Sequence, residues 1–245
     1  WKYTDLKTII NNNFKSLQII KNSKHSKYEK NSLLKNFEHN KIILLNGNFI
    51  DDDFSFEDEK KINIKSLNVA LKEKKDFEKI KSYFSKEKNS MNSLNNALVS
   101  DGIVLKIEKD YSFKKPLIIY NFFDKLSENK IINNKVIILL GSGSQLSFVD
   151  YHKAENNIKY FYNSTHNYVI NEKNVLKKFN INSILDNSYN YNSTIVDSYS
   201  NSIFENFLLS LGPNFIKSEI QCNLLEHFSS CFLNGIMLLN GNQHH

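Results

Sequence analysis

The sequence contains no arginine; all 32 of its basic residues are lysine. Phosphate recognition favours arginine forks, or clustered lysines with stacking aromatics, so the first argument for a nucleic-acid partner is missing. Two cysteines are too few for a disulfide framework or a multi-cysteine zinc fold, and point to a reduced, cytoplasm-like compartment. Two prolines and seven glycines exclude collagen-like and Gly/Pro-rich low-complexity chains. No apolar run approaches the ~18 residues of a membrane-spanning helix; Val136–Leu140 and Ile236–Leu239 are far too short. No charged-then-apolar leader is present, and a removed organellar targeting peptide stays open because residue 1 is Trp.

What the chain does have is 245 residues, 40% hydrophobic and 24% charged, which is enough to bury a substantial core. Its net charge of +6 is unevenly placed. Residues 1–98 carry 19 Lys against 13 acids, whereas residues 99–245 carry 13 of each. In the basic part the signs alternate, as in Lys72-Glu73-Lys74-Lys75-Asp76, a pattern that describes a solvated helix face. Neither a nucleic-acid nor a membrane partner is expected.

Apolar spacing makes the first part mixed and mainly helical. Leu6, Ile9, Ile10, Phe14 and Leu17 recur at three and four, and Leu33, Leu34 and Phe37 continue a shorter pattern. Lys41–Ile50 reads as two short strands around an Asn46-Gly47 turn. Ser66 is a helix N-cap, with Leu67, Ala70, Leu71, Phe77, Ile80 and Phe84 as one amphipathic stripe behind it, and 94–99 is a short helix. From Asp101-Gly102 onward the segments become short, β-branched and aromatic. About ten strand candidates follow, at 103–107, 117–123, 136–140, 146–151, 158–170, 175–181, 193–199, 204–211, 215–225 and 231–239. Hairpin signals are few and no strict period is visible, so pattern alone leaves sandwich and solenoid near even.

Motifs that could carry chemistry are sparse. Cys222 and Cys231 with His227 between them form a weak metal or cluster candidate. The nine-residue gap is not a ligand-pair spacing, and Cys222 is in phase with Ile216, Ile220 and Leu224, so a core position is favoured. His244 and His245 are a second weak candidate, or part of a tag. His152, His166 and His227 are isolated in strand-like contexts and read as surface or satisfied strand histidines. Gly141-Ser142-Gly143-Ser144 lacks the Lys-Ser/Thr and helix of a phosphate loop and reads as a tight turn. Asp51–Asp53 lacks calcium-loop spacing, and Ser144, Ser147, Asp150 and His152 form no nucleophile elbow. Asp197 and Glu205 could form a glycosidase pair across solenoid rungs, which keeps a β-solenoid carbohydrate-active enzyme as the competing reading and a cofactor-free interaction module as a third.

The most specific text is the C-terminal stretch. Phe207-Leu-Leu-Ser-Leu-Gly212-Pro-Asn-Phe-Ile-Lys217 leads into Leu233-Asn234-Gly235 and Gly241-Asn242-Gln243-His244. This order resembles the SufB/SufD family of iron–sulfur cluster assembly proteins, and within it SufD. The opening Trp1–Leu6, the turn Leu45–Phe49, and Asp101-Gly102-Ile103 followed by Lys115-Pro116-Leu117 are similar to family landmarks in the same order. Lys217-Ser218-Glu219 stands where the family often has Arg-Asn-Asp, and Gly212-Pro213 where it has Gly-Gly.

The resemblance implies an α+β architecture: an N-terminal, mainly helical domain over 1–98, then a right-handed parallel β-helix over 99–245 that is incomplete at its C-terminus. It implies a non-enzymatic scaffold that pairs with a SufB-like subunit and is regulated by a SufC-like ATPase. The cluster would be held only transiently, at the level of the complex, with no cofactor resident in this chain. The resemblance also implies that the segment docking SufC, and the family's cluster-site histidine, lie beyond residue 245; no catalytic or cofactor residue carries over. A β-helix cut between rungs is expected to aggregate.

Overall fold

The computed structural model describes residues 6–14, 33–85, 89–155, 158–182 and 187–244. Among the described residues, thirteen strands form two sheets. The first holds β1 (Asn40–Leu45), β2 (Asn48–Asp53), β5 (Leu117–Phe123), β7 (Gln145–Ala154), β9 (Val175–Asn182), β11 (Ile203–Ser210) and β13 (Ser230–Met237), in the order 13-11-9-7-5-1-2. The second holds β3 (Ile62–Ser66), β4 (Asp101–Ile107), β6 (Ile131–Leu140), β8 (Phe161–Ile170), β10 (Tyr189–Ser198) and β12 (Phe215–Leu224), in the order 12-10-8-6-4-3. From β4 onward, consecutive strands alternate between the two sheets, and from β6 onward each pairs in parallel with the strand one turn earlier. That is a parallel β-solenoid, and all ten strand candidates after residue 99 fall in β4–β13.

The repeat is not constant, which is why no period is visible in the text. In the even sheet Asp101 lies beside Asn134, Ile131 beside Phe161, Phe161 beside Tyr189, and Tyr189 beside Phe215. Each turn is therefore shorter than the one before, falling from 33 residues to 26. Each even-to-odd corner nonetheless has one residue in the left-handed region: Asp110, Gly143, Lys173, Asn201 and Phe228. Its N–H donates to a carbonyl of the next corner: Asp110 to Ser142 (2.8 Å), Gly143 to Glu172 (2.8 Å), Lys173 to Ser200 (3.0 Å) and Asn201 to His227 (3.1 Å). The corners thus stack through backbone, and each of the later ones closes on a Ser or Asn: Ser144, Ser202 and Ser229 Oγ each donate to the carbonyl three residues earlier (2.6, 2.5 and 2.8 Å), and Asn174 Oδ1 accepts from the Ser144 N–H (2.8 Å). Gly141–Ser144 is one of these corners, with β7 rather than a helix behind it.

The described part of residues 1–98 holds both helices and strands. Asn46 and Gly47, both at positive φ, turn β1 into β2, as the Asn-Gly signal predicts. β1 also pairs in parallel with β5, and β3 antiparallel with β4, so these early strands extend the solenoid's own sheets. The described part is thus mixed, with more of its residues in helices than in strands, but its three strands belong to the solenoid's sheets, so a separate helical domain is not shown. Ser66 caps α2 (Leu67–Ala70) by accepting from the Val69 N–H (3.2 Å). The stripe read as one helix is two, because the chain turns at Leu71–Glu73 before α3 (Lys74–Ser85). Leu33–His39 is not helical. The Trp1–Asp5 part of the opening landmark, Leu17 and His245 lie outside the described residues.

The two sheets differ on their outer faces. Helices α1 (Leu6–Asn13), α2, α3 and α4 (Ser90–Leu98) pack on the even sheet. Leu67, Ala70, Ile80 and Tyr83 meet Val104, Ile137 and Leu139, while Met91 and Phe14 meet Ile131, Phe161 and Tyr191. Asparagines fasten this layer. Asn95 Nδ2 donates to the Asn134 and Asn163 carbonyls (2.9 and 2.7 Å), and Asn92 Nδ2 to Ser193 Oγ (2.9 Å). On the odd sheet, Leu33 packs over Ile118, Tyr120 and Phe122, and the Tyr120 hydroxyl contacts His39 Nε2 (2.8 Å). Gly102 is required where the helical layer gives way to the first parallel strand: any Cβ there would sit 1.8 Å from the Lys135 carbonyl. Among the described residues no helix is long and apolar enough to cross a membrane.

Candidate functional site

Period-two alternation sends every second side chain into the space between the sheets. That interior has two halves. Beside the stacked corners it is apolar: Ile138, Leu140, Leu146, Phe148, Tyr168, Ile170, Leu176, Val196 and Phe204 are all buried in one cluster. Away from the corners the same phase carries Asn121, Asn134, Asp150, His152, Tyr162, Ser164, His166, Lys178, Asn180, Asn192 and Thr194, also buried.

Asp150 is the centre of the polar half. It is contributed by β7 and is fully buried. Its Oδ1 accepts from Asn121 Nδ2 (2.7 Å) and His152 Nε2 (3.2 Å), and its Oδ2 from Asn180 Nδ2 (3.3 Å). Lys178 Nζ stands 3.7 Å from Oδ2, and His166 Nε2 3.8 Å. On its other side Lys178 lies 3.5 Å from Thr194 Oγ1 and over the Tyr168 ring. His166 Nδ1 lies 2.8 Å from the Tyr168 hydroxyl. With Nε2–H turned to Asp150, Nδ1 is the acceptor and the tyrosine the donor. The Tyr162 hydroxyl joins Asn121 to Asn134 at 3.1 Å each.

Burial would raise the Asp150 pKa, but the opposing charges and hydrogen bond of His152, with His166 and Lys178, hold it well below the usual carboxylate range. Burial, then Lys178, pushes His166 well below the ordinary histidine value, so it is neutral near pH 7. Burial also lowers Lys178, partly offset by Asp150. The result is a buried Asp150–Lys178 ion pair inside a cage that is hydrogen-bonded except at His152 Nδ1. Such a cage discriminates strongly between strand registers, because a slipped strand would leave a charge unpaired in a dry interior.

The solenoid's last described rung holds the cysteines. Cys222 on β12 and Cys231 on β13 both pack against the apolar interior cluster, as the core reading of Cys222 anticipates. They are half-buried, and the Cys222 thiol is within hydrogen-bonding reach of Cys231. His227 is elsewhere: its ring is exposed at the corner beside Phe228, and its carbonyl serves the corner stack. His244 lies at the opposite end of β12 from Cys222, with its ring stacked on Phe215 at 5.7 Å and its backbone bonded to Asn214 and Ile216. Of the four weak candidates only the two cysteines come together. Among the described residues no three His, Cys, Asp or Glu side chains are grouped so as to hold a metal ion.

Asp197 and Glu205 point outward on different sheets, Asp197 accepting from Asn223 Nδ2 (2.8 Å) and Glu205 paired with Lys177 (3.0 Å), so they do not flank a cleft. His166 is a satisfied strand histidine, as read, whereas His152 bonds Asp150 through Nε2 and leaves its buried Nδ1 without a partner; both are interior rather than surface. The Lys178 interior charge is absent from the sequence reading. The signal for it exists: in Leu146-Phe148-Asp150-His152 and Leu176-Lys178-Asn180 the charged residues occupy the phase of the buried leucines.

Comparison with known proteins fits this architecture. Residues 1–119 match a family model described as the SufBD protein N-terminal region, and residues 123–245 match one described as SUF system FeS cluster assembly, SufBD core domain. No curated protein matches the chain. The chain belongs to the SufB/SufD family.

Proposed function

We propose that this chain is a non-catalytic scaffold subunit of the SUF iron–sulfur cluster assembly complex, most like SufD, pairing with a SufB-type subunit under the control of a SufC-type ATPase. The observation that carries the reading is the ordered pair of family regions, at 1–119 and 123–245, laid over a two-sheet parallel solenoid. The reading also takes the solenoid as right-handed, the usual hand of parallel crossovers, and divides the chain into an N-terminal domain at 1–98 and a β-helix core at 99–245. A soluble setting, cytoplasmic or organellar, goes with it.

Mechanistically, the scaffold's contribution is stiffness. Backbone ladders and stacked corners hold β4–β13 as one continuous body, so a partner's movement at one end is transmitted rather than absorbed. Iron and sulfide are the cargo of the complex. ATP hydrolysis falls to the partner; in this chain the glycine-serine stretch at 141–144 serves as a corner and offers no helix N-terminus to a phosphate. Co-expression of the full-length protein with SufB and SufC homologues tests the proposal. A stable co-purifying complex is expected. Association with neither, under conditions where those two associate with each other, would overturn it.

A further inference from the structure

We propose that Cys222 and Cys231 form a reversible disulfide that fastens the edge strand of one sheet to the edge strand of the other. The geometry comes from two interior columns. In the even sheet Ile138, Tyr168, Val196 and Cys222 are successive partners in register. In the odd sheet the column is Leu146, Leu176, Phe204 and Cys231. The columns face each other across the interior, with the Tyr168 and Phe204 rings 6.1 Å apart. One rung later both facing side chains are thiols, free and half-buried.

Their approach is imposed by the scaffold. β12 is paired to β10 and β13 to β11 along their lengths, and the corner between them is fixed by the Asn201 N–H on the His227 carbonyl. Little conformational entropy remains to be lost on joining the thiols, which favours an internal bridge over a mixed one. Burial, then the Cys231 neighbour, pushes the Cys222 thiol up to about 12 while both thiols are free; once Cys231 carries a mixed disulfide that neighbour's contribution is gone and Cys222 ionises more readily.

The oxidant is a small-molecule disulfide. The Cys231 sulfur, on losing its proton, attacks one sulfur of the oxidant; that S–S bond breaks and one small thiol leaves, taking up the proton. Cys222 then loses its proton and attacks Cys231 Sγ, and the second small thiol leaves with it. One disulfide is exchanged for another, with two small thiols as products. The new bond closes a short ring around the corner at 225–229 and ties β12 to β13.

The test is oxidation of the folded full chain with oxidised glutathione, followed by tryptic mass mapping under non-reducing conditions. No lysine follows Lys217, so one peptide, 218–245, carries both cysteines. That peptide is expected to lose two hydrogens and carry no adduct, and the oxidised protein to melt several degrees above the reduced one. Cys222→Ser is expected to accumulate a stable glutathione adduct on Cys231, and Cys231→Ser to react slowly. Glutathione adducts or cross-linked dimers in the wild type would overturn the proposal. So would unchanged thiols in the folded chain while the urea-unfolded chain forms the bridge under the same oxidant, or a bridge that leaves the melting temperature where it was.

Discussion

The two halves of the solenoid interior share one backbone geometry and one inward phase, yet they are held by different physics. Beside the corners, Leu146, Phe148, Leu176 and Phe204 gain from leaving water, roughly 1.5–3 kcal/mol for each large side chain, with little directional demand. Away from the corners, Asp150, His166, Lys178 and the asparagines gain little from burial itself and depend on every partner being in place. The lesson is that burial drives the coil together, whereas the polar half specifies which residue sits on which.

The contrast can be broken most severely at Asp150. Asp150→Ala leaves the Lys178 ammonium buried without its counter-ion and is expected to cost about 3–5 kcal/mol in urea denaturation. Phe148→Ala, one inward position away in the apolar half, is expected to cost a similar ~3–5 kcal/mol through its cavity. The two separate on rescue, because only the first loss is recovered by neutralising a partner.

The pH response sharpens the same contrast. His166 is neutral when folded and takes up a proton more readily when unfolded, so the unfolded state binds more protons as pH falls. Stability is expected to be fully present above the ordinary value of 6.5 and to fall below it, by up to about 1.4 kcal/mol per pH unit. Asp150, whose pKa is depressed in the fold, contributes stability above 3.8 that is lost as pH falls further. His166→Gln should flatten the first decline and leave the second; denaturant midpoints between pH 7 and 2 measure both.

The smallest effect lies outside either half. Phe228 sits at a left-handed corner position that earlier turns give to Asp, Gly, Lys and Asn, and it is 83% exposed. Phe228→Gly relieves the strain without loss of packing and is expected to stabilise by about 1 kcal/mol, seen as a raised melting temperature.

Much of the fold is legible in the residues. The Asn46-Gly47 hairpin, the Ser66 cap and the β4–β13 series rest on local chemistry that the structure uses as read. The solenoid is not legible from pattern, because its turns shorten and its corners are marked only by backbone bonds and a closing Ser or Asn, residue types common throughout the sequence. The helical stripe at 67–84 is misread as continuous because spacing does not register the turn at Leu71–Glu73. The buried cage escapes for a related reason: Asp150, His166 and Lys178 lie on three strands, and only the register unites them.

A double-mutant cycle on Asp150→Asn and Lys178→Met measures the claim directly, with unfolding free energies for the wild type, both single variants and the double. Strong coupling is predicted, with the double variant more stable than either single by about 2 kcal/mol or more. Additive losses would mean that the pair is not what holds the polar half together.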